Sequence, residues 1–404
     1  MDTARTLVEF YDHDPLENIV SLLRGTYRKV VFVYFARANE PDPQERRALT
    51  RWVEKRFDIP CRFLGLPEHC ISCALEHFHA LLKEEGSCDF DITGGSSVFI
   101  AAAGMLLAHY GAERMRLHEY DPASGACLYR HPDEGTERAD VAGTLAVTEF
   151  LKLRDIALLD GGTPIRYDLD AHGLGRDLTR LWESVRGNLR AWNAFCNTAS
   201  EFYRENGRVV MEKEMTEGQY RGCQMIFRLL EKSGLLHSLQ ESREHDRMRI
   251  TACLEIAYTS AFLYEKAGNL LELMMYRAAR DCGLFADCCT GVKLDWNGRP
   301  QRGSNPNNEI DLVLTRGHVP CFVSCKNTNV TKEYLYEIMT MTRHFGGIHA
   351  VPMVFSTMRA EDAVRARAAE MGVVLMDSIG KIPAARLAGC LRETCAPRGR
   401  SNGT

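Results

Sequence analysis

The sequence has neither a long apolar run nor a large excess of charge of one sign. Lys and Arg total 50 and Asp and Glu total 54 in 404 residues, so the formal net charge is −4. No stretch approaches the roughly 18 apolar residues of a membrane span, and the first ten residues do not resemble a secretory signal. The sequence therefore predicts a protein without a membrane partner, and any polyanion it binds must meet a local basic patch.

The 15 cysteines are scattered singly along the chain. Without a secretory signal, scattered cysteines favour reduced thiols and predict a cytoplasmic location. The hydrophobic content of 45% and the charged content of 26% are ordinary for a soluble globular protein. The length exceeds that of one typical hydrophobic core, which favours two or three domains.

A predicted β-hairpin at residues 305–327 carries the pattern with the most chemistry. Glu309-Ile310-Asp311 opens an apolar run, a Gly-containing turn follows, and a second β-rich run ends at Lys326. Carboxylates at the start of one strand and a lysine at the end of its partner meet at one end of a hairpin. Oxygen ligands gathered in this way suit a hard cation such as Mg²⁺ or Mn²⁺, and the lysine can steady a phosphate oxygen.

This pattern resembles the PD-(D/E)xK nuclease superfamily, in which an Asp on one strand and an acidic-x-Lys on the next build the metal site. The chain departs from it at Ser324-Cys325-Lys326, because a serine stands where the second carboxylate belongs. The resemblance implies catalytic roles for Asp311 and Lys326, and we expect the backbone carbonyl of Cys325 as a further metal ligand. A loose match of this kind also occurs by chance in ordinary amphipathic hairpins.

Several glutamates can supply the missing carboxylate. Glu309 lies two residues before the hairpin aspartate and shares its strand face. Glu272 lies in an upstream segment of helical periodicity, where the superfamily often carries a glutamate. Glu333 and Glu337 lie one helical turn apart after the hairpin. The expected catalytic and metal-binding set therefore includes Glu272 and Glu309, and the choice among these glutamates stays open.

Strands and helices alternate regularly in the first 120 residues. Lys29–Phe35 is nearly continuously apolar, which is typical of a strand buried on both faces. Further strands are predicted at 5–10, 61–65, 89–93 and 115–120, and helices at 44–57, 71–85 and 97–110. This alternation predicts a doubly wound parallel sheet, in which ligands bind beyond the carboxyl ends of the strands where the strand order reverses.

A glycine-rich loop, Thr93-Gly94-Gly95-Ser96-Ser97, follows the fourth of these strands and opens a helix. Paired glycines let backbone N–H groups approach an anion, and a helix N-terminus adds partial positive charge. The loop is neither a Walker A loop nor a GxGxxG fingerprint. Local sequence alone fits a phosphate cradle and a plain tight turn with a Ser N-cap equally well.

A Rossmann-like domain with such a loop resembles the CARF domain, the cyclic oligoadenylate sensor of type III CRISPR systems. Residues 7–18, LVEFYDHDPLEN, with Asn308–Asp311 and Ser324–Asn327, resemble the ancillary nucleases that join a CARF domain to a PD-(D/E)xK domain in one chain. The resemblance implies a homodimer whose sensor domains sandwich a cyclic oligoadenylate, with cyclic tetra-adenylate as the expected ring. It also implies a metal-dependent nuclease acting on single-stranded DNA or RNA. The expected ligand contacts are Thr93, Gly94, Gly95, Ser96 and Ser97, together with Asp12 and Asn18 at the same end of the sheet.

The middle of the chain is predicted to connect the two domains. Residues 145–159 are expected to form β or mixed structure, and 174–203 one long amphipathic helix. A helix at 217–233 followed by a polar turn and a strand at 247–254 resembles the end of a winged helix. Acidic residues offset its arginines, which favours a connector over a DNA reader. A helix at 258–280 then begins an αβββαβ order.

The expected fold class is α/β throughout, with four segments. These are a Rossmann-like CARF domain at 1–145, a winged-helix-like connector at 146–257, a restriction-endonuclease-like domain at 258–392 and a disordered tail at 393–404. Two other functions stay open. One is a repair or restriction-type nuclease without cyclic-nucleotide control. The other is a nucleotide-responsive transcription regulator in which Ser324 marks an inactive nuclease fold.

Overall fold

The computed structural model describes residues 4–121, 126–131, 135–141, 143–159, 163–245, 247–296 and 308–396. The beginning of the hairpin segment, 305–307, and the tail residues 397–404 lie outside the described residues. The chain forms two compact units. The first runs to Ile156 and includes Gly347–His349, and the second comprises Ala157–Gly346 and Ala350–Ala396.

Within the described ranges, the sheet of the first unit is built from β1 Arg5–Phe10, β2 Tyr27–Phe35, β3 Cys61–Leu66, β4 Cys88–Asp91, β5 Met115–Asp121, β6 Ala126–His131 and β7 Gly135–Asp140. The spatial order is β3-β2-β1-β4-β5-β6-β7. The first five strands pair in parallel, and β6 and β7 continue the sheet as an antiparallel hairpin. The predicted parallel sheet is thus confirmed, whereas the turn-rich sequence around β7 gave no sign of that strand.

The helices of the first unit, again within the described residues, are α1 Val20–Arg24, α2 Pro43–Phe57, α3 Ile71–Glu85, α4 Ser97–Arg114 and α5 Val147–Leu153. Helix α2 begins after Asp42 because that carboxylate accepts the N–H groups of Gln44 and Glu45. Helices α3 and α4 bring Phe78 and Phe99 into the core beneath the parallel strands. The predicted helices at 44–57, 71–85 and 97–110 are therefore confirmed.

Helix α5 shows that the expectation of β or mixed structure at 145–159 is wrong. Val147, Phe150 and Leu151 follow helical spacing and are all buried. The Glu149 side chain accepts the N–H of Ala146 at 2.9 Å, in the manner of a capping box, and so starts the helix.

The first part of the second unit contains helices α6 Leu174–Val185, α7 Leu189–Cys196 and α8 Glu217–Lys232 with strands β8 Ser200–Glu205, β9 Arg208–Thr216, β10 Leu236–Glu244 and β11 Arg247–Leu254. The strands form an antiparallel sheet in the order β10-β11-β9-β8. The single helix expected at 174–203 is wrong. Gly187 and Asn188 are poor helix formers and lie at the break between α6 and α7, and the end of the segment forms β8.

The rest of the second unit contains helices α9 Ala267–Asp281, α10 Lys332–Met341, α11 Asp362–Met371 and α12 Ala384–Cys395 with strands β12 Asp287–Leu294, β13 Asn308–Arg316, β14 Val319–Lys326, β15 Val351–Ser356 and β16 Val374–Met376. The sheet order is β12-β13-β14-β15-β16, antiparallel up to β14 and parallel beyond it. The predicted αβββαβ order is confirmed.

Both ends of this region differ from expectation. Tyr258–Tyr264 is a 3-10 helix, so the continuous helix predicted at 258–280 is wrong in its first turns. Helix α12 extends to Cys395, so the disordered tail predicted from residue 393 is wrong up to that cysteine. Leu387, Leu391 and Cys395 recur every four residues and bury one face of α12.

One hydrophobic core joins the two sheets of the second unit. Trp182 and Trp192, from the predicted connector, lie in the same buried cluster as Leu271 of α9 and Val323 of β14. The mixed α/β class is confirmed, and the division of this unit into connector and nuclease domain stays a prediction. Among the described residues, no helix is long and apolar enough to span a bilayer.

Candidate functional site

The sheet of the first unit has a topological switch point between β1 and β4. These strands are neighbours, yet the chain leaves β1 towards β2 on one side and β4 towards β5 on the other. Ligands of open α/β sheets bind in the crevice beyond the carboxyl ends of such a strand pair. The loop that contains Asp12 and the loop that contains Thr93-Gly94-Gly95-Ser96-Ser97 follow these two strands, so the predicted ligand residues flank the crevice.

The two glycines of this loop lie too close to the neighbouring loop to accept a side chain. A Cβ atom on Gly94 would lie 2.4 Å from Glu17 Oε2 and 3.3 Å from the Asp12 Cβ. Gly95 has φ of +82°, and a Cβ there would lie 2.5 Å from the Phe10 Cβ. The β4 loop therefore packs directly onto the segment that follows β1, as the sequence predicted for Asp12.

Two of the predicted contact residues are already engaged within the loops. The Thr93 hydroxyl donates to Asp91 and accepts the N–H of Tyr120 at 2.7 Å. The buried Asn18 amide donates to the Asp12 carbonyl at 2.6 Å and accepts the Asp12 N–H at 2.8 Å. Thr93 and Asn18 thus shape the loops, and the exposed donors at the crevice come from the start of α4.

A histidine that sequence reasoning missed lies beside the start of α4. His69 Nε2 is 3.1 Å from the Ser96 hydroxyl, which also accepts the N–H of Val98. The next residue, Ser97, is exposed in the first turn of the helix. His69 belongs to the loop after β3, and no spacing in the sequence links it to residue 96. Asp12 and Asn18 also line a cavity of about 250 Å³.

The hairpin of the second unit brings the predicted catalytic residues together. Backbone pairing of β13 and β14 starts at Leu312 opposite Val323, so Asp311 lies just beyond the paired region. There the Cys325 N–H donates to Asp311 Oδ2 at 2.6 Å, and the Ser324 hydroxyl lies 3.5 Å from the same oxygen. The aspartate carboxylate therefore takes the place of a backbone acceptor at the open end of the hairpin.

The same contact orients the Cys325 carbonyl. In a strand, the N–H and C=O of one residue point to the same side. Because the Cys325 N–H faces β13, its carbonyl also faces the open end near Asp311. The next residue faces the opposite neighbour, since the Lys326 carbonyl accepts the N–H of Thr357 at 3.2 Å.

The candidate glutamates surround Asp311 from different elements. Glu272 projects from α9, and its pKa is raised to about 7. Burial is the main cause, and the negative charges of Asp311 and Glu309 add to it. Burial also raises the pKa of Asp311, although the Cys325 N–H and the Lys326 charge oppose this. Glu309 and the α10 residue Glu337 line a small cavity of about 110 Å³ together with Asp311. Neither Glu333 nor Glu272 is among the residues that line this cavity, so Glu272 is linked to Asp311 by its charge alone.

Lys326 approaches the carboxylates without closing on one of them. Its Nζ lies 4.5 Å from the centre of the Tyr334 ring, and its charge partly opposes the rise that burial causes in the pKa values of Asp311 and Glu272. The following residue, Asn327, exchanges amide hydrogen bonds with Asn193 of α7. The end of β14 that carries Lys326 is therefore held by two elements, α10 through Tyr334 and α7 through Asn193.

The donor set at the hairpin fits a hard divalent cation. Nowhere in the described part of the chain do three His, Cys, Asp or Glu side chains converge as a ready metal site. Asp311 and Glu272 nevertheless repel each other as ions, and the Cys325 carbonyl faces the same opening. Two carboxylates and a backbone carbonyl are oxygen ligands, which Mg²⁺ and Mn²⁺ prefer, and a cation would offset the repulsion.

Comparison with known proteins places these elements in context. Residues 261–387 match the family model described as Card1-like, endonuclease domain. No curated protein sequence matches the chain. Among solved structures, protein VC1899 from Vibrio cholerae is similar, with a TM-score of 0.68 and 15% identity over 96% of this chain and 98% of that one.

Two further structures share the fold. Can2 from Sulfobacillus thermosulfidooxidans, solved in complex with cyclic tetra-adenylate, has a TM-score of 0.61 and 14% identity, with 96% of each chain covered. A type III CRISPR defence DNA nuclease activated by cyclic oligoadenylate has a TM-score of 0.50 and 17% identity, over 98% of this chain and 52% of that one. The match to the family model contains α9, β13, β14 and α10, which carry the carboxylates and the lysine. The part of the chain that is similar to the Card1-like endonuclease domain is therefore the part that carries the candidate active site.

Proposed function

We propose that this protein is a metal-dependent endonuclease that cyclic oligoadenylate activates in type III CRISPR antiviral defence. The carrying observation is the convergence of Asp311, Glu272 and Lys326 within a domain that matches an endonuclease family. Single-stranded DNA or RNA is the proposed substrate, and cyclic tetra-adenylate the proposed activator. Can2, which shares the fold, was solved with that ring bound.

In this proposal Asp311 is the fixed carboxylate of the active site, because the Cys325 N–H holds it in one position. Glu272 or Glu309 completes the carboxylate set that Ser324 leaves short, and Glu337 is the remaining candidate. Bound Mg²⁺ or Mn²⁺ supplies Lewis-acid polarisation of the phosphodiester and lowers the pKa of an attacking water. These carboxylates and the Cys325 carbonyl would hold the ion.

Lys326 has the second chemical role. Its ammonium group offers N–H donors to a phosphate oxygen and stabilises the negative charge that develops there during cleavage. The Tyr334 ring, 4.5 Å from Nζ, supports the ammonium through its π face, which occupies none of the N–H donors with an acceptor oxygen.

The proposed sensor is the crevice between β1 and β4. Gly94 and Gly95 let the loop backbone approach a phosphate, and Ser96 and Ser97 at the start of α4 add hydroxyl donors. Asp12 lies at the edge of the same crevice. A cyclic oligoadenylate with two-fold symmetry can offer the same phosphate and base to each of two such loops.

A homodimer is proposed to complete this sensor, and the outward face of α4 supports it. Ile100 is 36% exposed and Met105 59% exposed, and the neighbouring exposed positions of the helix include Ala101, Gly104 and Ala108. This apolar face continues directly from the ligand loop at the N-terminus of α4. A second copy packed on it would place its own loop beside the first.

A cleavage assay tests the proposal. Labelled single-stranded DNA, single-stranded RNA and supercoiled plasmid are incubated with the protein and Mg²⁺ or Mn²⁺, with and without cyclic tri-, tetra- or hexa-adenylate. We expect cutting that EDTA abolishes and that one of the rings strongly increases. Lys326→Ala should stop cutting while the nearby control Lys332→Ala should not. Cutting that ignores every ring would refute the sensor role, and full activity of Lys326→Ala would refute the active site.

A further inference from the structure

A wide groove lies on the first unit between helices α2 and α5. Its volume is about 1250 Å³, and all residues that line it belong to those two helices, the residue before α2 and the segment after α5. It shares Asp42 and Asp155 with the smaller cavity that Asp12 and Asn18 line. The groove is thus a neighbour of the sensor crevice, and no residue of the proposed sensor loop lines it.

Five cationic and three acidic side chains line the groove, and four of the cations have no partner in the described part of the chain. Arg47, Arg51 and Lys55 recur every fourth residue along α2 and are exposed. Lys152 faces them from α5 and is also exposed. No hydrogen bond or ion pair joins any of these four side chains to another described residue. Arg56, in contrast, is held by Glu149 at 2.6 Å.

An indole lies among these cations. Trp52 lines the groove between Arg51 and Lys55 in sequence and is partly exposed. Its Nε1 atom is buried, and the Arg56 guanidinium lies 5.6 Å from the centre of its ring. Surfaces that bind single-stranded nucleic acids combine a basic track for the backbone with aromatic side chains on which bases stack. The face of α2 that lines the groove has both the basic side chains and the aromatic ring.

We propose that this groove binds a single strand of nucleic acid, with Arg47, Arg51 and Lys55 on consecutive phosphates. Four residues advance a helix by about 6 Å, so these cations form a straight track on the length scale of successive phosphates in an extended strand. An acidic peptide would need no stacking surface, whereas Trp52 favours a ligand with bases. The inference rests on the proposed function only in that the bound strand is taken to be the substrate of the same protein.

This site adds substrate contacts to a unit that the proposed function otherwise uses only as a sensor. With a net charge of −4, the whole chain has no general attraction for a polyanion. Local binding must therefore come from a patch such as this one, and the affinity it provides must fall with salt.

Fluorescence anisotropy in EDTA tests the inference without involving cleavage. Labelled single-stranded DNA and RNA are titrated with the full-length protein from about 50 to about 200 mM KCl. Arg51→Ala/Lys55→Ala is compared with Arg228→Ala/Lys232→Ala, which removes the same charge from two exposed positions one turn apart on α8, outside the groove. We expect the groove variant to bind on the order of tenfold more weakly and to lose about 1.4 from its salt slope, since each phosphate contact contributes about 0.7.

Several outcomes overturn the inference. The first is that the unaltered protein binds neither strand, and the second is that the groove and control variants bind with equal affinity. The third is that polyglutamate competes with the labelled strand as well as an unlabelled strand does. Displacement of the strand by cyclic tetra-adenylate would assign the cations to the activator instead. Because binding is measured in EDTA, it does not depend on cleavage. A protein that binds strands in this groove but cuts none in the separate assay with Mg²⁺ or Mn²⁺ refutes the proposed function and not this site.

Discussion

Asp311 combines two roles, and a pair of substitutions separates them. The carboxylate is the proposed metal ligand, and it also accepts the Cys325 N–H at 2.6 Å at the open end of the hairpin. Asp311→Asn keeps an acceptor oxygen in the same place but removes the charge. Asp311→Ala removes both and leaves the Cys325 N–H without its acceptor.

The structure gives magnitudes for both changes. Leaving a half-buried N–H unpaired costs about 1–3 kcal/mol, so Asp311→Ala should unfold roughly 2–12 °C below the unaltered protein. Asp311→Asn avoids this cost and relieves the repulsion that raises the pKa of Glu272, so its unfolding temperature should be equal or higher without metal. Both variants should cut at least about a thousandfold more slowly, since losing about 4 kcal/mol of charge stabilisation has that effect.

Two measurements on each variant check this reasoning. Thermal unfolding is followed in EDTA, and cleavage of a labelled single strand is followed with Mn²⁺ and saturating cyclic tetra-adenylate. Ring binding should not change, because Asp311 lies in the second unit. Cleavage by Asp311→Asn at more than a few per cent of the normal rate would refute the ligand role. Equal unfolding temperatures for the Ala and Asn variants would refute the structural one.

Three further substitutions test other parts of the molecule. Gly95→Ala would put a Cβ 2.5 Å from the Phe10 Cβ, so the concentration of cyclic tetra-adenylate needed for half-maximal cutting should rise at least about tenfold; Gly86→Ala, which has a similar positive φ but open space around it, is the control. Met105→Glu should convert a dimer into a monomer in light scattering, while Met225→Glu, at a similarly exposed site on α8, should not; a dimer that survives Met105→Glu excludes the α4 face. Burial lowers the pKa of Lys213 from 10.5 to about 8, so the unfolded state binds more protons between these values and the free energy of unfolding should rise with pH there, by up to about 3 kcal/mol. Denaturation of Lys213→Met from pH 7 to 10 should lack that rise, and an unchanged slope would show that Lys213 does not cause it.

The hairpin site was predictable because its signal is local. Asp311 and Lys326 belong to adjacent strands of one hairpin, so the alternation of apolar residues and a single turn were enough to bring them together. Glu272 required the family resemblance, because only tertiary packing brings α9 against β13. Glu309 and Glu337 line the same cavity as Asp311, whereas Glu272 is linked to Asp311 by the mutual repulsion of their charges.

Features that depend on distant packing escaped prediction. His69 reaches Ser96 from a loop 27 residues away in sequence. The stripe of Arg47, Arg51 and Lys55 is readable as helical spacing, yet it becomes a groove only when α5 lies opposite, and α5 was itself predicted as β or mixed structure. The sequence of residues around Asn18 also fits an exposed helical position. The structure instead buries Asn18, whose side chain forms two hydrogen bonds with the Asp12 backbone and so stabilises that loop.

Hydrogen bonds between Asn193 and Asn327 couple the end of β14, which carries Lys326, to helix α7. The Asn193 amide donates to the Asn327 carbonyl at 2.8 Å, and the Asn327 amide donates to Asn193 Oδ1 at 2.5 Å. The Thr357 hydroxyl donates to Asn327 Oδ1 at 2.7 Å. The backbone at Lys326 cannot move relative to α7 without breaking these hydrogen bonds. A displacement of the end of β14 is therefore shared by α7, and the position of Lys326 depends on a helix that lies more than 120 residues earlier in the sequence.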